Sequence, residues 1–348
     1  MPEPLSPAAE TSPRPADVWA WLNSGGRIWR ASGGLSRQPL PVEGGVSFYV
    51  NDFALSDPSP WRAPGLEGAG AGVDEAAAPD VAWEAPCEES FRGVFDELMT
   101  AVRRREILKA VPVASATGRL RSGDPAPWLR RVLTQPPPET QGIAFGWMEN
   151  GRGFAGFTPE ILFQIDGCRL TTMALAGTTD ADHAAELTER PKLAREHAVV
   201  VDELQRRLGQ LGEVKTGRRE VVRQGNIRHL RTPLEVTMSS APEGAVLNDI
   251  IRLLHPTPAL GISPRTDDSM ALLARCRART GTPERFGAPF GVAWPGGALF
   301  VVAIRAVFWQ GDDILLPAGG GLVAGSEFET EWAELELKRA WVRRVTGV

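Results

Sequence analysis

Cysteine and histidine are scarce in this chain of 348 residues, which has three cysteines and four histidines. Cys87, Cys168 and Cys276 lie far apart and share no spacing that is typical of a metal site. Scattered single cysteines of this kind are typical of proteins that stay in the reducing cytoplasm. The pattern therefore argues against a cysteine-rich metal module and predicts a cytoplasmic protein.

The chain also lacks a surplus of positive charge and a long apolar run. Its formal net charge is −5 and no basic stripe is visible, so we expect no nucleic-acid partner. No run of about 18 apolar residues occurs, so we expect no membrane span. Residues 1–15 are polar and rich in proline, without the features of a signal peptide, and are predicted to be disordered.

Apolar residues are plentiful, at 43% of the chain, so a substantial core can form. The length of 348 residues suffices for one large or two ordinary domains. The Gly-, Pro- and Ala-rich stretch 56–80 is predicted to be an exposed loop. The apolar patterns predict the following segments. Strands are expected within 27–55, 107–114, 141–148, 153–176, 218–223 and 227–238, and again from 286. Helices are expected at 88–106, 182–212, 244–254, 267–279 and 327–345. Strand clusters that alternate with groups of helices predict an α+β fold with large antiparallel sheets.

The terminal helix is unusually acidic. Its sequence SEFETEWAELELK contains five glutamates, which are Glu327, Glu329, Glu331, Glu334 and Glu336. Residues three and four apart share a helix face, so Glu331 and Glu334 project together and Glu334 can pair with Lys338. A solvated acidic face is the simplest interpretation. However, the preceding glycines expose backbone amides that suit an anion, and an anion beside carboxylates requires a bridging cation, for which Mg²⁺ is the best candidate.

Five further polar residues each have a structural and a functional interpretation. Glu196, in REHAVVVDEL, could supply a second carboxylate to the site, although by itself it is a typical surface residue of a helix. Arg305, in the apolar strand pattern VVAIRAVF, either has a structural partner or binds a carboxylate. Lys109, in EILKAVPVA, lies at a strand edge or is a desolvated base. Glu160, in GFTPEILF, has apolar neighbours that would raise its pKa and let it act as an acid, whereas His229 more often has a structural role. Together these residues indicate a metal-assisted reaction on a small anion.

Taken in order, the segments from about 105 to 348 resemble the chorismate-utilising family, which includes isochorismate, salicylate, anthranilate and aminodeoxychorismate synthases. The matching segments are ILKAVPVA, FTPEILFQIDGCRLTTMALAGTT, LAREHAVVVDEL, NIRHLRTPLEV, LHPTPALG, FGAPFGVAW, FVVAIRAVF and AGGGLVAGSEFETEWAELELK. The resemblance implies one domain, expected over residues 16–348, in which two large antiparallel sheets form a sandwich, with helices packed outside and the active site in a cleft.

The resemblance also implies a cofactor and a substrate site. Mg²⁺ would be held by Glu196 and Glu334, with help from Glu331 directly or through water, and would hold the ring carboxylate of chorismate. The residues implied to bind the carboxylates or to line the pocket are Ala176, Gly177, Thr178, His229, Arg305, Gly319, Gly321 and Lys338. The expected partner is chorismate, and the expected assembly is a monomer or a homodimer.

Lys109 distinguishes between members of the family. Members that add water at ring carbon 2 carry a lysine here as general base, and members that add ammonia typically carry glutamine. Ala176 stands where aminodeoxychorismate synthases commonly have a nucleophilic lysine. The resemblance therefore implies an isochorismate synthase, in which Lys109 takes a proton from water and Glu160 protonates the hydroxyl that leaves carbon 4. The product would serve the synthesis of menaquinone or of a siderophore.

Two alternatives stay open at this point. One is a salicylate synthase, which goes on to eliminate pyruvate, and the other is a homologue that binds chorismate without turnover. The second is motivated by Pro112 and Ile262, which depart from the family pattern without removing a proposed catalytic residue. The other departures are Arg279, Pro283, Phe286 and Phe328.

Overall fold

A computed structural model of the chain describes residues 18–64, 76–138, 140–180, 191–225 and 227–348. The predicted disordered segment 1–15 lies outside the described residues, and the domain limits 16–348 stay a prediction. Strands β1 to β20 are Trp19–Ser24, Arg27–Ser32, Leu35–Gln38, Ser47–Val50, Trp61–Pro64, Asp80–Glu84, Lys109–Ala110, Val113–Ser122, Ile143–Glu149, Arg152–Thr158, Ile161–Asp166, Arg169–Asp180, Val214–Thr216, Glu220–Gln224, Ile227–Thr237, Ile262–Ser263, Pro289–Trp294, Gly297–Val302, Ala306–Gln310 and Asp313–Gly319. Helices α1 to α6 are Glu88–Arg103, Pro125–Thr134, Pro191–Leu208, Ala245–Leu254, Asp267–Arg279 and Phe328–Thr346.

Nearly all of these strands belong to two antiparallel sheets. The eight-stranded sheet has the order β2-β1-β9-β10-β19-β20-β8-β6. The ten-stranded sheet has the order β13-β15-β12-β11-β18-β17-β4-β5-β3, with β14 also paired to β15. The short strands β7 and β16 pair separately. The predicted α+β fold with large antiparallel sheets is therefore confirmed.

Aromatic rings join the two sheets face to face. Phe145 and Phe154 of the eight-stranded sheet contact Phe290 of the ten-stranded sheet, with ring centroids 6.0 and 5.5 Å apart. Alternate side chains of a strand point to opposite faces, so Ala144 and Met148 of β9 join a second apolar cluster on the outer face. Because both faces of such a strand are covered, its sequence is apolar without alternation, and the predicted sandwich is confirmed.

The helices pack against the sheets. Helix α2 lies on β9 and β10, α3 lies on β12 and β15, and α6 lies on β12, β19 and β20. Apolar side chains of α2 and of the terminal helix α6 belong to the outer cluster of the eight-stranded sheet. Among the described helices, none combines the length and the apolar character that crossing a bilayer would need.

Two of the places where the chain passes from one sheet to the other are neighbours in space. It passes from the eight-stranded to the ten-stranded sheet between β10 and β11, at Glu160, and returns between β18 and β19, at Arg305. The amide of Val302 donates to the carbonyl of Glu160, and the amide of Phe157 donates to the carbonyl of Arg305, both at 3.1 Å. A Cβ at Gly156 would lie 2.2 Å from that Arg305 carbonyl, so only glycine fits. The two crossings therefore run side by side and are joined by backbone hydrogen bonds.

The structure corrects the prediction of a continuous strand through VVAIRAVF. The run is divided between two sheets, and Arg305 lies in the break with φ of 56°, a conformation that side chains other than glycine seldom adopt. An apolar run gives no sign of such a break, because both halves are buried. Strand 107–114 is divided in the same way, since Pro112 separates β7 from β8.

Other parts of the chain also differ from the prediction. Within the predicted loop 56–80, residues 65–75 lie outside the described residues, but Trp61–Pro64 form strand β5. Trp61 is fully buried and anchors this strand against β3 and β4. The described part of the helix expected at 182–212 runs from Pro191 to Leu208, and strand β1 and helix α2 were not predicted.

Candidate active site

A cavity lies where the two sheet crossings meet the terminal helix. The sequence-predicted residues that line the cavity are Glu160, Ala176, Thr178, Glu196, His229, Arg305, Gly319, Gly321, Glu334 and Lys338. The remaining three predicted residues, Lys109, Gly177 and Glu331, adjoin lining residues but are not part of the wall. The fold thus brings residues from many separate segments to one place.

Glu160 is a buried carboxyl group in the cavity wall. Its side chain accepts a hydrogen bond from Thr257 Oγ1 at 3.0 Å. Burial raises the pKa of Glu160 to about 7, and the Thr257 hydrogen bond and the positive charges of Lys109 and Lys338 oppose that rise only in part. A group with this pKa exchanges a proton readily near neutrality. The raised pKa that the apolar neighbours predicted is therefore present.

Lys109 lies directly behind the cavity wall. It is fully buried in β7, which pairs with β16, so it is not at an exposed sheet edge. Its Nζ is 3.0 Å from Glu196 Oε1 but makes no hydrogen bond of good geometry to any described residue. A Cβ at Gly321 would lie 2.9 Å from Lys109 Cε and 2.1 Å from Glu196 Oε1. Glycine at this position therefore leaves room for both side chains at the cavity.

Glu331 is an almost fully buried carboxylate of the terminal helix. Its Oε1 accepts a hydrogen bond from Lys192 Nζ, whereas its buried Oε2 has no hydrogen-bond partner among the described residues. Burial, followed by the negative charge of Glu334, raises the pKa of Glu331 to about 7, although Lys192 opposes the rise. Glu196 acts in the same direction as Glu334. Glu331 thus lies among other carboxylates that disfavour its charge.

The terminal helix divides its charged residues as the spacing predicts. Glu334 pairs with Lys338 at 2.6 Å, and Lys338 Nζ also donates to the carbonyl of Gly319 at 2.6 Å. Glu334 and Lys338 line the cavity, and Glu331 is buried behind them. The other three glutamates, Glu327, Glu329 and Glu336, are exposed. One face of this helix therefore forms part of the site and the other is solvated.

A β-bulge shapes the side of the cavity formed by β12. Ala176 pairs with Leu230 and Thr178 pairs with His229, so Gly177 is the extra residue, and its φ is +77°. A bulge changes the direction of the side chains on either side of it. Both Ala176 and Thr178 line the cavity here. Gly177 therefore contributes through its backbone shape.

Arg305 brings a buried positive charge to the cavity. Its Nη2 is 3.4 Å from His229 Nε2, and His229 Nδ1 is 3.1 Å from Thr178 Oγ1. Burial and the charges of Arg305 and Lys338 lower the pKa of His229 well below 6.5, so the ring is neutral and its Nε2 can accept from Arg305. Burial lowers the pKa of Arg305 to about 10, which leaves it charged at neutral pH. Its Nη1 has no hydrogen-bond partner among the described residues, and the geometry suits a carboxylate of a ligand.

The acidic residues have the chemistry of an Mg²⁺ site but not a finished arrangement. In the described part of the chain, no three His, Cys, Asp or Glu side chains form a group that could hold a metal ion. Glu196, Glu331 and Glu334 nevertheless offer the oxygen ligands that Mg²⁺ prefers, and Glu331 Oε2 is unpaired. A Cβ at Gly320 would lie 3.3 Å from that oxygen, so the glycines keep the space beside it open. These residues have the chemistry to hold Mg²⁺, and in this structure a lysine contacts each of the three carboxylates.

Sequence reasoning missed Lys192 and Thr257, which contact Glu331 and Glu160. Lys192 is four residues before Glu196 on α3, so helix spacing places both on one face and could have indicated it. Thr257 comes from a distant loop and had no such signal.

Most of the departures from the family pattern lie away from the cavity. Phe286 is the one of the six that lines it. Ile262 is buried in β16, Arg279 pairs with Glu97, and Phe328 packs its ring against α1. These positions therefore bear mainly on packing, and Phe286 bears on the shape of the pocket.

Comparisons with known proteins agree with this geometry. A family model described as chorismate binding enzyme matches residues 80–346. The isochorismate synthase MenF of Haemophilus influenzae is 28% identical over 264 residues, which cover 73% of this chain and 59% of the relative. The salicylate biosynthesis isochorismate synthase of Pseudomonas aeruginosa is 29% identical over 299 residues, which cover 81% and 58%. The chain thus spans less than two thirds of the length of these curated relatives.

Solved structures show the same fold. The menaquinone-specific isochorismate synthase MenF of Escherichia coli has a TM-score of 0.73 at 18% identity, with 95% of this chain and 89% of that chain covered. Anthranilate synthase component I of Streptococcus pneumoniae has a TM-score of 0.66 at 14% identity, with 98% and 95% covered. The sandwich, the cavity and the family match over residues 80–346 lead to one conclusion, that the chain belongs to the chorismate-binding enzyme family.

Proposed function

We propose that this chain is an isochorismate synthase, which converts chorismate to isochorismate. The observation that carries the proposal is the pairing of a buried lysine with a buried carboxylic acid at one cavity. Lys109 lies at the Gly321 wall, and Glu160, with a pKa of about 7, lies close enough for the Lys109 charge to act on it. A base and an acid held at one site are what the addition of water and the loss of a hydroxyl require. Both curated relatives are named isochorismate synthases, which supports the same reaction.

The reaction needs two proton transfers. Lys109 accepts a proton from water as the water oxygen bonds to ring carbon 2. The double bonds of the ring shift, and the bond between carbon 4 and its hydroxyl oxygen breaks as Glu160 donates a proton to it. One water enters and one leaves, so substrate and product are isomers.

Two carboxylates of chorismate have to be bound in this cavity. Arg305 is a buried cation with an unpaired N–H group and no acidic partner within ion-pair distance among the described residues. We assign one substrate carboxylate to Arg305, with the neutral ring of His229 orienting the guanidinium. The amides of Gly319 and Gly321 and the ammonium of Lys338 complete the proposed carboxylate contacts.

Mg²⁺ is the proposed cofactor, held by Glu196, Glu331 and Glu334. When bound, the ion supplies positive charge that neutralises the ring carboxylate of the substrate. We also propose a cytoplasmic location, which the free state of all three cysteines supports, and we place the product in menaquinone or siderophore synthesis. A monomer or a homodimer remains the expected assembly.

Incubation of the pure protein with chorismate and MgCl₂ tests this function. We expect isochorismate by chromatography, and its absence would contradict the proposal. Release of pyruvate would instead identify a salicylate synthase. Calorimetric binding of chorismate without any product would identify a homologue that binds the substrate without turnover.

A second arm of the assay uses Lys109→Gln. This change removes the proposed base while keeping a side chain of similar length, so water addition is expected to fall by roughly 10²- to 10⁴-fold. Unchanged formation of isochorismate by this variant would refute the role of Lys109.

A further inference from the structure

Lysine is rare in this chain and is concentrated at the cavity. The chain has 38 lysines and arginines together, of which only Lys109, Lys192, Lys215 and Lys338 are lysines. Three of these four contact a carboxylate of the proposed metal site, and Lys215 is exposed on β13. Positive charge elsewhere is supplied by arginine. An ammonium is a compact point charge, whereas a guanidinium is a planar fork, so the group chosen here is the one that most resembles a small cation.

Lys192 occupies a central place among these carboxylates. It lies in the first turn of α3, and its ammonium donates to Glu331 Oε1. Burial opposes the charge of Lys192, but the negative charges of Glu331, Glu196 and Glu334 raise its pKa overall. One ammonium is therefore within the field of all three proposed metal ligands, which is where a divalent ion would be most strongly attracted.

Of the three lysines, Lys192 is the one that can leave most easily. Its side chain is 20% exposed, whereas that of Lys109 is 1% exposed. Lys338 is also tied to the carbonyl of Gly319. A long flexible stem allows a partly exposed lysine to move its charge into water while the stem stays packed.

We propose that Lys192 is a built-in competitor for the cation, which neutralises Glu331 in the metal-free protein and leaves it when Mg²⁺ binds. This inference rests on the Mg²⁺ site of the proposed function and adds a residue that sets its affinity. In the metal-free state the ammonium offsets the repulsion among three neighbouring carboxylates, which would otherwise destabilise the fold. The ammonium and the ion compete for the same negative charge, so the contact of Lys192 with Glu331 weakens metal binding.

The test compares Lys192→Met with Lys215→Met by calorimetric titration with MgCl₂ in the absence of chorismate. Methionine keeps an unbranched side chain of similar length without charge. We expect Lys192→Met to bind Mg²⁺ at least about tenfold more tightly, because the competing charge is gone. The metal-free variant should unfold at a lower temperature than the wild type and gain more from added MgCl₂. Lys215→Met should match the wild type in both measurements.

Glu331→Gln removes the carboxylate that Lys192 contacts, while Glu196 and Glu334 remain. In that background, Lys192→Met should increase the affinity for Mg²⁺ by a smaller factor than it does in the wild type. Should Lys192→Met fail to fold without metal, Lys192→Gln is titrated in its place, with the same expectation.

The possible results separate the inference from the proposed function. Equal or weaker Mg²⁺ affinity in the Lys192 variants overturns the inference alone and leaves the metal site standing. Absence of Mg²⁺ binding by every variant and by the wild type, with and without chorismate, overturns the metal site and the inference together. Isochorismate formation is measured separately, so a failure of the activity itself is distinguishable from both.

Discussion

Two buried carboxyl groups on different sides of the cavity have their pKa raised to about 7, chiefly by burial in both cases, but their charged neighbours differ. Glu160 lies in apolar surroundings without a neighbouring carboxylate, and the charges of Lys109 and Lys338 oppose the rise in its pKa. Glu331 is buried too, but Glu334 and Glu196 add to the rise and only the contact with Lys192 opposes it. A buried carboxyl group without a carboxylate neighbour favours the uptake of one proton, whereas a group of neighbouring carboxylates favours the uptake of a cation. The comparison explains how one residue type serves proton transfer on one side and metal binding on the other.

The largest effect is expected from Glu160→Gln. The amide cannot donate an acidic proton to the leaving hydroxyl, so the rate of isochorismate formation should fall by roughly 10²- to 10⁴-fold. The affinity for Mg²⁺ measured by calorimetry should stay unchanged, because Glu160 is not among the proposed ligands. A variant with full activity, or one that lost Mg²⁺ binding, would break the division between the two sides.

Glu331→Gln should have the reverse profile. One of three anionic ligands is lost, so the affinity for Mg²⁺ should fall at least about tenfold. Saturating MgCl₂ should restore a large part of the activity, because Glu160 and Lys109 are unaltered. If activity were lost at all MgCl₂ concentrations while the affinity stayed normal, Glu331 would belong to the proton-transfer side instead.

The pH dependence of stability should report both groups. The pKa of Glu160 is raised from 4.5 to about 7 in the folded protein, so the folded state binds more protons than the unfolded state between these values. The free energy of unfolding contributed by this group is therefore highest below about pH 4.5 and decreases as the pH rises to about 7. Urea unfolding across this range should show the decrease. Glu160→Gln should make the decrease smaller, and Glu331, whose pKa is raised to the same value, contributes the remainder. A slope that Glu160→Gln leaves unchanged would mean that the pKa of this carboxyl is not perturbed.

The rate of isochorismate formation should follow the same titration of Glu160. Isochorismate formation at saturating MgCl₂ should decline above about pH 7, as Glu160 loses the proton that it donates. A profile of kcat from about pH 6 to about pH 9, which roughly spans the titration, measures this decline. A profile that rises throughout would exclude Glu160 as the acid.

The smallest effect is expected from Thr257→Val. The change removes the hydrogen bond that stabilises the ionised form of Glu160, so the alkaline limb of the pH profile should move upward. The shift should be small, since one hydrogen bond contributes about 1 kcal/mol. A downward shift would show that Thr257 stabilises the protonated acid.

Local chemistry made part of the site visible in the sequence. Helix spacing separated Glu331, Glu334 and Lys338 from the exposed glutamates, and the apolar neighbours of Glu160 indicated its raised pKa. Arg305 was expected inside a strand, because an apolar run that is buried in two sheets looks the same as one buried in a single sheet. The contact between Lys192 and Glu331 joins α3 to α6, and no local pattern encodes a contact between elements so far apart in the chain.

The two sheet crossings have a mechanical consequence. The backbones at Glu160 and Arg305 are bound to the neighbouring strand ends by hydrogen bonds, and the absence of a side chain at Gly156 keeps them in close contact. A sliding movement of one sheet over the other would therefore carry the acid and the anchoring cation together and preserve the spacing between them. The proposed metal ligands lie instead on α3 and α6, the helices that also carry two of the lysines. The cavity therefore has one wall in which the sheet crossings fix the acid and the anchoring cation relative to each other, and another in which two helices bring the metal ligands together.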